Sequence, residues 1–169
     1  MRLSENIRSM LEAQWHHETR NYMIYTQMRA WADYRGFNNI GEFYKRQAEE
    51  EHGHANKVYE YIADKSDILN VEPFVFDNIS PPFASGDVYS LFKASMDTEL
   101  GTTASLCAIL DASMNEKDFM TADFIRDMVF IQREEEKTFQ QLLDRMDRYP
   151  NAPARENDID LYIKETFLG

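Results

Sequence analysis

The chain has 169 residues, of which 43% are hydrophobic and 13% aromatic, and it carries a net charge of −12 at pH 7. This length and composition argue against disorder and suit one domain, spanning residues 1–169, with a substantial buried core. The negative charge argues against nucleic-acid binding, which requires a basic surface to displace counterions from phosphates, and it favours cations as small partners.

Only six glycines and five prolines interrupt the chain, and they cluster at a few positions. This distribution favours long helices over a protein of many turns, so we expect an all-α fold. The N-terminus lacks a continuous apolar segment and no later stretch could cross a bilayer, so we expect a cytoplasmic protein with no membrane partner. The single cysteine, Cys107, lies in an apolar helical run, which predicts a packed core thiol.

Apolar and large residues at alternating steps of three and four predict a first helix from about residue 4 to residue 34, ended by Arg35-Gly36-Phe37. Its predicted inward stripe contains Leu3, Ile7, Met10, Leu11, Trp15, Tyr22, Tyr25 and Met28. A second helix is predicted from about residue 40 to residue 64. Its stripe contains Phe43, Gln47, Glu51, His54, Val58 and Tyr61. Prolines and a glycine then break the pattern from residue 65 to residue 86, which predicts a long crossover.

A third helix is predicted from about residue 87 to residue 112, and a short turn at residues 113–116 follows it. The third stripe contains Leu91, Ser95, Glu99, Thr102, Leu106 and Ile109. A fourth helix is predicted from about residue 118 to residue 149, where Pro150 and Pro153 stop it. The fourth stripe contains Ile125, Met128, Gln132, Glu135, Phe139 and Leu142. Two helical hairpins joined by one crossover make a four-helix bundle (residues 4–149), and residues 157–167 could add one short amphipathic helix.

Polar residues occupy the same places in both predicted hairpins. Three polar positions recur after a displacement of 81 residues: Glu18 corresponds to Glu99, Glu51 to Gln132, and His54 to Glu135. Each half has a lone carboxylate on one helix and an i,i+3 pair on the next, a layout that lets four helices surround two metal ions. The predicted turns lie midway between these residues, so the polar groups of each hairpin should lie side by side, about 25 Å from the turn.

Four carboxylates on inward stripes need a counter-charge, because an unpaired buried carboxylate is costly and no lysine or arginine occupies these stripes nearby. Two divalent cations would balance them, with His54 as a neutral imidazole ligand. Carboxylates with one imidazole suit iron(II), manganese or zinc, and we prefer redox iron. A single Glu-x-x-His also occurs by chance on exposed helix faces, so the prediction depends on the repeat.

Four motifs together are specific for a known family. They are Glu18-Thr-Arg-Asn-Tyr-Met-Ile-Tyr, Glu49-Glu-Glu-His-Gly-His-Ala, Glu99 within Asp-Thr-Glu-Leu, and Gln132-Arg-Glu-Glu-Glu-Lys. Through these motifs, residues 11–149 resemble the ferritin family of the non-haem bacterial type. The resemblance implies a ferritin-like bundle in which Glu18, Glu51 and His54 bind a first iron. It implies that Glu51, Glu99 and Glu135 bind a second iron, with Glu51 as the bridge.

Two further residues receive roles from the resemblance. Tyr25 resembles the family's site tyrosine, placed to hydrogen-bond near the metals and to donate an electron during dioxygen reduction, although an inward tyrosine is equally an ordinary core aromatic. Gln132 stands where bacterioferritins and many di-iron oxidases have a second Glu-x-x-His, so the second metal lacks an imidazole. We hypothesise that the second iron is held more weakly and leaves for storage after oxidation.

An outer third iron site, found in some bacterial ferritins, is matched in part. Glu50 and Glu134 match two of its positions, whereas the third is Ile131, which cannot bind metal. The outer site is therefore weakened or transient, and a solvated acidic face is the equal alternative.

The remaining histidines are not predicted ligands. His52 occupies the position of the haem-ligating methionine of bacterioferritins, so we expect no haem. His52 should lie at the surface, and the pair His16-His17 should face away from the metal site.

The resemblance implies a ferroxidase that binds two iron ions per subunit, oxidises iron(II) with dioxygen or peroxide, and stores iron(III) mineral inside a homo-oligomeric shell of twenty-four subunits. Residues 161–167 resemble the short fifth helix that lines a shell axis in relatives. One rival is a rubrerythrin-like di-iron peroxidase, although its added Cys-x-x-Cys iron domain is missing here. A second rival is a non-catalytic, light-chain-like subunit, which the five predicted ligands argue against.

Overall fold

The computed structural model describes residues 2–65, 67–71, 86–149 and 152–169. Within these ranges it contains five α-helices, a short π-helix and no strand, which confirms the all-α prediction. The helices are α1 (Glu5–Tyr34), α2 (Asn38–Asp64), α3 (Val88–Asn115), α4 (Phe119–Asp147) and α5 (Ala152–Ile163), and the π-helix is Lys164–Leu168. Most of the predicted crossover at residues 65–86 lies outside the described residues.

Two helical hairpins form the bundle: α1 packs along α2, α3 packs along α4, and α1 meets α3 between them. Their apolar side chains form two clusters at different heights. One cluster surrounds Tyr25, Tyr44 and Phe139, and the other surrounds Leu11 and Ile125. Along α1, Glu18 lies between the two clusters. The fold therefore places a polar layer in the middle of an otherwise apolar bundle. None of the described helices combines the length and the apolar composition needed to cross a membrane.

The displacement of 81 residues extends along the first helix of each hairpin and into the turn that follows it. All eight buried residues of α1 have a buried counterpart 81 positions later in α3. The turns also match. Arg35 and Glu116 end their helices with the same backbone angles, φ −82° and ψ −3°. The next residues, Gly36 and Lys117, both take left-handed conformations with φ of 78° and 59°. Such a residue closes a helix well, and glycine adopts this conformation at the lowest cost.

The predicted stripes of α3 and α4 are confirmed, since all their members are buried. The stripe of α1 needs a correction: Tyr22 is 39% exposed, because Glu18, Asn21 and Tyr25 take the inward positions. The prediction for Cys107 was wrong, since this residue is exposed. Its neighbour Leu106 takes the inward position, and a helix turns each successive side chain by about 100°.

Helix boundaries also differ from the predictions. The third helix continues to Asn115, so the turn falls at residues 116–118 instead of 113–116. The fifth helix begins at Ala152 instead of residue 157, and Pro153 lies in its first turn. Proline suits that place because the first N–H groups of a helix have no partner within the helix. Pro153 therefore opens α5 and does not stop α4, which already ends at Asp147.

Side chains at helix starts explain how α5 docks. Ser4, Asp87 and Asp118 cap α1, α3 and α4 by accepting a hydrogen bond from the backbone N–H three residues later. α2 starts after Phe37, which cannot do this. Instead, Asp160 of α5 accepts from the backbone N–H of Ile40 at 3.0 Å and from Asn39 at 2.7 Å. The fifth helix thus supplies the cap that α2 lacks.

We predict that Asp160→Ala lowers the free energy of unfolding by about 1 kcal/mol, the usual cost of a lost N-cap. In a domain of this size, thermal denaturation should then occur about 2–4 °C lower. The control is Asp160→Asn, which keeps an oxygen acceptor and should lose clearly less. Equal losses in the two variants would contradict the capping role.

Candidate metal centre

Two groups of possible ligand atoms meet in the polar layer. One group consists of Glu18, Glu51 and His54, and the other of Glu51, Glu99 and Glu135. Within each group the ligand atoms all lie within 4.8 Å of one another. Glu51 belongs to both. The structure thus brings together the five residues that the sequence suggested as ligands, in the two sets implied by the resemblance.

These side chains are buried, yet several of their oxygens are unpaired. Glu18 and Glu99 are fully buried and Glu51 is 2% exposed, whereas His54 and Glu135 are each 8% exposed. Among the described residues, the Oε2 atoms of Glu18, Glu51 and Glu135 have no hydrogen-bond partner. A buried acceptor without a partner loses its hydration and gains nothing in return. Three such oxygens in one place fit a site that is completed by cations.

The carboxylates resist ionisation when they are buried together without a cation. Loss of hydration is the main cause: it raises the pKa of Glu99 to about 7 and that of Glu135 to about 9. It also raises the pKa of Glu18. The pKa of Glu51 lies well above its ordinary value, because burial is reinforced by the charges of Glu18, Glu99 and Glu135. Divalent cations would remove this penalty by pairing with the ionised forms.

His54 is a neutral imidazole at neutral pH, because burial, with a smaller effect of Lys57, lowers its pKa to about 4. Its Nδ1 atom lies 4.0 Å from Glu18 and 3.8 Å from Glu51, and its Nε2 atom lies 3.6 Å from Glu135. With a neutral ring these contacts are not ion pairs. A neutral imidazole surrounded by carboxylates is the form that binds a metal.

Tyr25 and Gln132 lie on either side of Glu99. The Tyr25 hydroxyl donates a hydrogen bond to Oε1 of Glu99, and the Gln132 amide donates one to Oε2. Burial, followed by the charges of Glu99 and Glu51, raises the pKa of Tyr25 well above its ordinary value. Both oxygens of Glu99 are therefore occupied, in contrast to those of the other three carboxylates.

Sequence reasoning missed a second layer of polar side chains. Gln14 donates a hydrogen bond to Oε1 of Glu18 at 2.6 Å and accepts one from Ser105 at 2.5 Å. Asn21 donates to Thr102 at 3.0 Å. A signal was available, because Gln14 and Asn21 lie on the same helical face as Glu18, but neither residue type is a typical metal ligand.

The remaining histidines lie outside both ligand groups. His52 is exposed, with its ring 5.6 Å from that of Tyr22, which confirms the predicted surface position. The Nε2 atom of His17 is hydrogen-bonded to Thr102 at 2.9 Å, and His16 packs edge-on against Trp15.

Glu50 and Glu134 are exposed and belong to neither ligand group. They line a groove of about 560 Å³ between α2 and α4, together with Ile131, His54 and Glu135. Glu50 accepts a hydrogen bond from Gln47 at 2.9 Å, and Glu134 is paired with Lys137 at 2.5 Å. The predicted outer site thus corresponds to the rim of this groove.

Two helical hairpins that enclose a cluster of four carboxylates and one imidazole define the class of helical-bundle proteins with a candidate metal centre in the core. The chain belongs to the ferritin-like domain family, which matches residues 8–149. It is 30% identical over 164 residues to a bacterial non-heme ferritin of Staphylococcus epidermidis, a match that covers 96% of this chain and 94% of the relative. It is 28% identical over 137 residues to a bacterial non-heme ferritin of Escherichia coli O157:H7, which covers 80% of each chain.

The fold is similar to that of solved structures as well. An open pore ferritin from the archaeon Archaeoglobus fulgidus superposes with a TM-score of 0.84, covering 95% of this chain and 97% of that one at 20% identity. This likeness supports the bundle and its short C-terminal helix.

We predict that the metal-free protein loses stability as the pH rises from 6.5 to 9. The pKa values of Glu99 and Glu135 are raised on folding to about 7 and about 9. Their stabilising contribution is therefore present below their unfolded pKa and disappears as the pH passes the folded values. The contribution of His54, whose pKa is lowered, stays constant above pH 6.5. Calorimetry in a chelator should show the Tm falling by at least about 4 °C.

The control for this effect is a pair of variants with the same change of charge. Glu135→Gln should flatten the dependence of Tm on pH, because it removes the buried group with the pKa of about 9. Glu134→Gln, at the exposed neighbouring position, should leave the slope unchanged. A parent protein whose Tm is constant or rises over this range would contradict the prediction.

Proposed function

We propose that this protein is an iron-storage ferritin with ferroxidase activity. Iron(II) is the substrate, dioxygen or peroxide is the oxidant, and iron(III) mineral accumulates inside a homo-oligomeric shell, as a ferritin of twenty-four subunits would provide. The observation that supports this proposal most directly is the set of three buried, unpartnered carboxylate oxygens beside a neutral His54.

Charge balance supports two iron ions per subunit. Four buried carboxylates carry four negative charges when ionised, and two iron(II) ions would neutralise them. Glu18 and His54 would bind one ion, Glu99 and Glu135 the other, and Glu51 both, since it is the member shared by the two ligand groups. Bound iron(II) would supply the electrons that reduce the oxidant, and the five residues would hold both ions in one buried site.

Tyr25 is suited to electron donation by its contact with Glu99. Oxidation of a tyrosine releases its phenolic proton, and the carboxylate that accepts its hydrogen bond can take that proton. The neighbouring Tyr44, whose ring centre is 5.7 Å from that of Tyr25, is hydrogen-bonded only to the neutral hydroxyl of Ser95 among the contacts described. Of the two buried tyrosines, Tyr25 is therefore the one proposed to take part.

Unequal hydrogen bonding also supports unequal iron sites. Glu18 keeps one oxygen free of hydrogen bonds for the first ion, whereas each oxygen of Glu99 accepts a hydrogen bond, from Tyr25 or Gln132, that competes with the second ion for its electron density. This competition and the absence of an imidazole ligand both weaken the second site. The second iron should therefore bind after the first and leave more easily.

The function is tested by size-exclusion chromatography combined with aerobic iron loading. The parent should elute as a particle of several hundred kilodaltons and retain an iron core, and Glu18→Ala should oxidise iron(II) much more slowly, because the first site loses a ligand. Sustained peroxide turnover without iron retention would support the rubrerythrin-like rival. Unchanged oxidation in Glu18→Ala would support the light-chain-like rival.

We predict that an anaerobic iron(II) titration of the parent shows two steps of clearly different affinity. Gln132→Leu should tighten the weaker step about fivefold, because it frees one oxygen of Glu99 from a hydrogen bond worth about 1 kcal/mol. The control is Gln47→Leu, which changes a buried glutamine that donates to Glu50 and not to Glu99. Two equally tight steps in the parent would contradict the proposed asymmetry.

A further inference from the structure

Among the described residues, the candidate centre is most accessible to solvent from the groove between α2 and α4. Of the five proposed ligands, only His54 and Glu135 keep appreciable exposure, 8% each. Both of them line the groove between α2 and α4, and Glu50 and Glu134 stand at its rim. A cation that moves between solvent and the buried carboxylates would pass through this groove, where the rim carboxylates favour its approach.

The wall of the groove includes the π-helix Lys164–Leu168, which we call the C-terminal strap. Phe167 lines the groove, and its ring centre is 5.7 Å from that of Phe43 on α2. Arg46 of α2 donates hydrogen bonds to the carbonyl oxygens of Phe167 at 3.2 Å and Leu168 at 3.3 Å. The strap therefore lies on α2, two to three helical turns from His54.

The strap is held more weakly than the helix before it. α5 is anchored by the buried Ile159 and Ile163 and by the cap that Asp160 gives to α2. The strap continues α5 to the penultimate residue of the chain, none of its residues is fully buried, and only Phe167 and Leu168 pack against the core, both of them partly exposed. Segments with few buried contacts and exposed hydrogen bonds open at low free-energy cost. The strap can therefore lift from α2 while α5 remains docked.

We propose that the C-terminal strap gates the passage of metal between the groove and the di-metal centre. When Phe167 packs on Phe43 and Arg46 holds the two carbonyls, the passage to His54 and Glu135 is narrow. When the strap lifts, the passage widens. This inference rests on the proposed function, because it assumes that the five residues bind metal. A gate alters how fast metal enters and leaves, and it leaves the equilibrium affinity unchanged, since none of its residues is a ligand.

The test follows Co(II) binding to the full-length protein by stopped-flow absorbance, with dissociation started by a chelator. Phe167→Ala removes the aromatic side chain that lines the groove, and Arg46→Lys keeps the positive charge but loses the guanidinium that binds both carbonyls. Each should raise the association and dissociation rate constants together, by about fivefold, the effect of losing about 1 kcal/mol of contact, with Kd unchanged. Hydrogen exchange should speed up at residues 164–168 in Arg46→Lys and stay the same within α5.

The matched control is Leu161→Ala, which removes a large apolar side chain that is 59% exposed on α5 and lies outside the groove. It should leave both rate constants at the parent's values. Rates unchanged in both strap variants, or a change in Kd without a change in the association rate, would overturn the gate and leave the proposed function intact. A parent protein that binds no Co(II) would contradict the proposed metal centre and therefore also the gate.

Discussion

The constraint that dominates this structure is the burial of four carboxylates inside one helical bundle, where their nearest basic neighbour, His54, is neutral. Glu18, Glu51, Glu99 and Glu135 lie in a layer between two apolar clusters, and burial raises the pKa of each. In the absence of a cation, protonation of the carboxylates neutralises the charge that a metal ion would otherwise balance. The same arrangement that disfavours the ionised carboxylates in the metal-free protein would favour divalent cations that neutralise them.

The internal repeat makes the departures from symmetry informative. The buried positions of α1 and α3 and the turns that follow them match at a displacement of 81 residues, so the backbone alone does not impose different side chains at equivalent positions. At the site, Gln132 stands at the position equivalent to Glu51, and Glu135 stands at the position equivalent to His54. One result is that Glu99 has two hydrogen-bond donors where Glu18 has a free oxygen. A symmetric scaffold thus holds a site with two unlike halves.

Much of the fold and of the candidate site could be predicted from the sequence, because helical periodicity determines which side chains face inward. The stripes of α3 and α4 and the convergence of the five acidic and imidazole side chains followed from spacing alone. Errors arose where neighbouring positions competed for the interior, as at Tyr22 and Cys107, since large or apolar character does not show which residue of a pair turns inward. The start of α5 was missed because proline both ends and begins helices. The support of Glu18 by Gln14 depends on contacts between helices, which periodicity does not contain.

The cap between Asp160 and α2 bears on the order in which the chain completes its structure. In the second hairpin, Asp118 caps α4 by accepting a hydrogen bond from the backbone N–H of Thr121. The equivalent N–H of the first hairpin, that of Ile40, is capped by Asp160 of α5. During synthesis the first hairpin leaves the ribosome first. The start of its second helix, α2, nevertheless has no cap until Asp160 emerges, 120 residues after Ile40. The hairpin made earliest is therefore finished last, which ties its maturation to the arrival of the C-terminal helix.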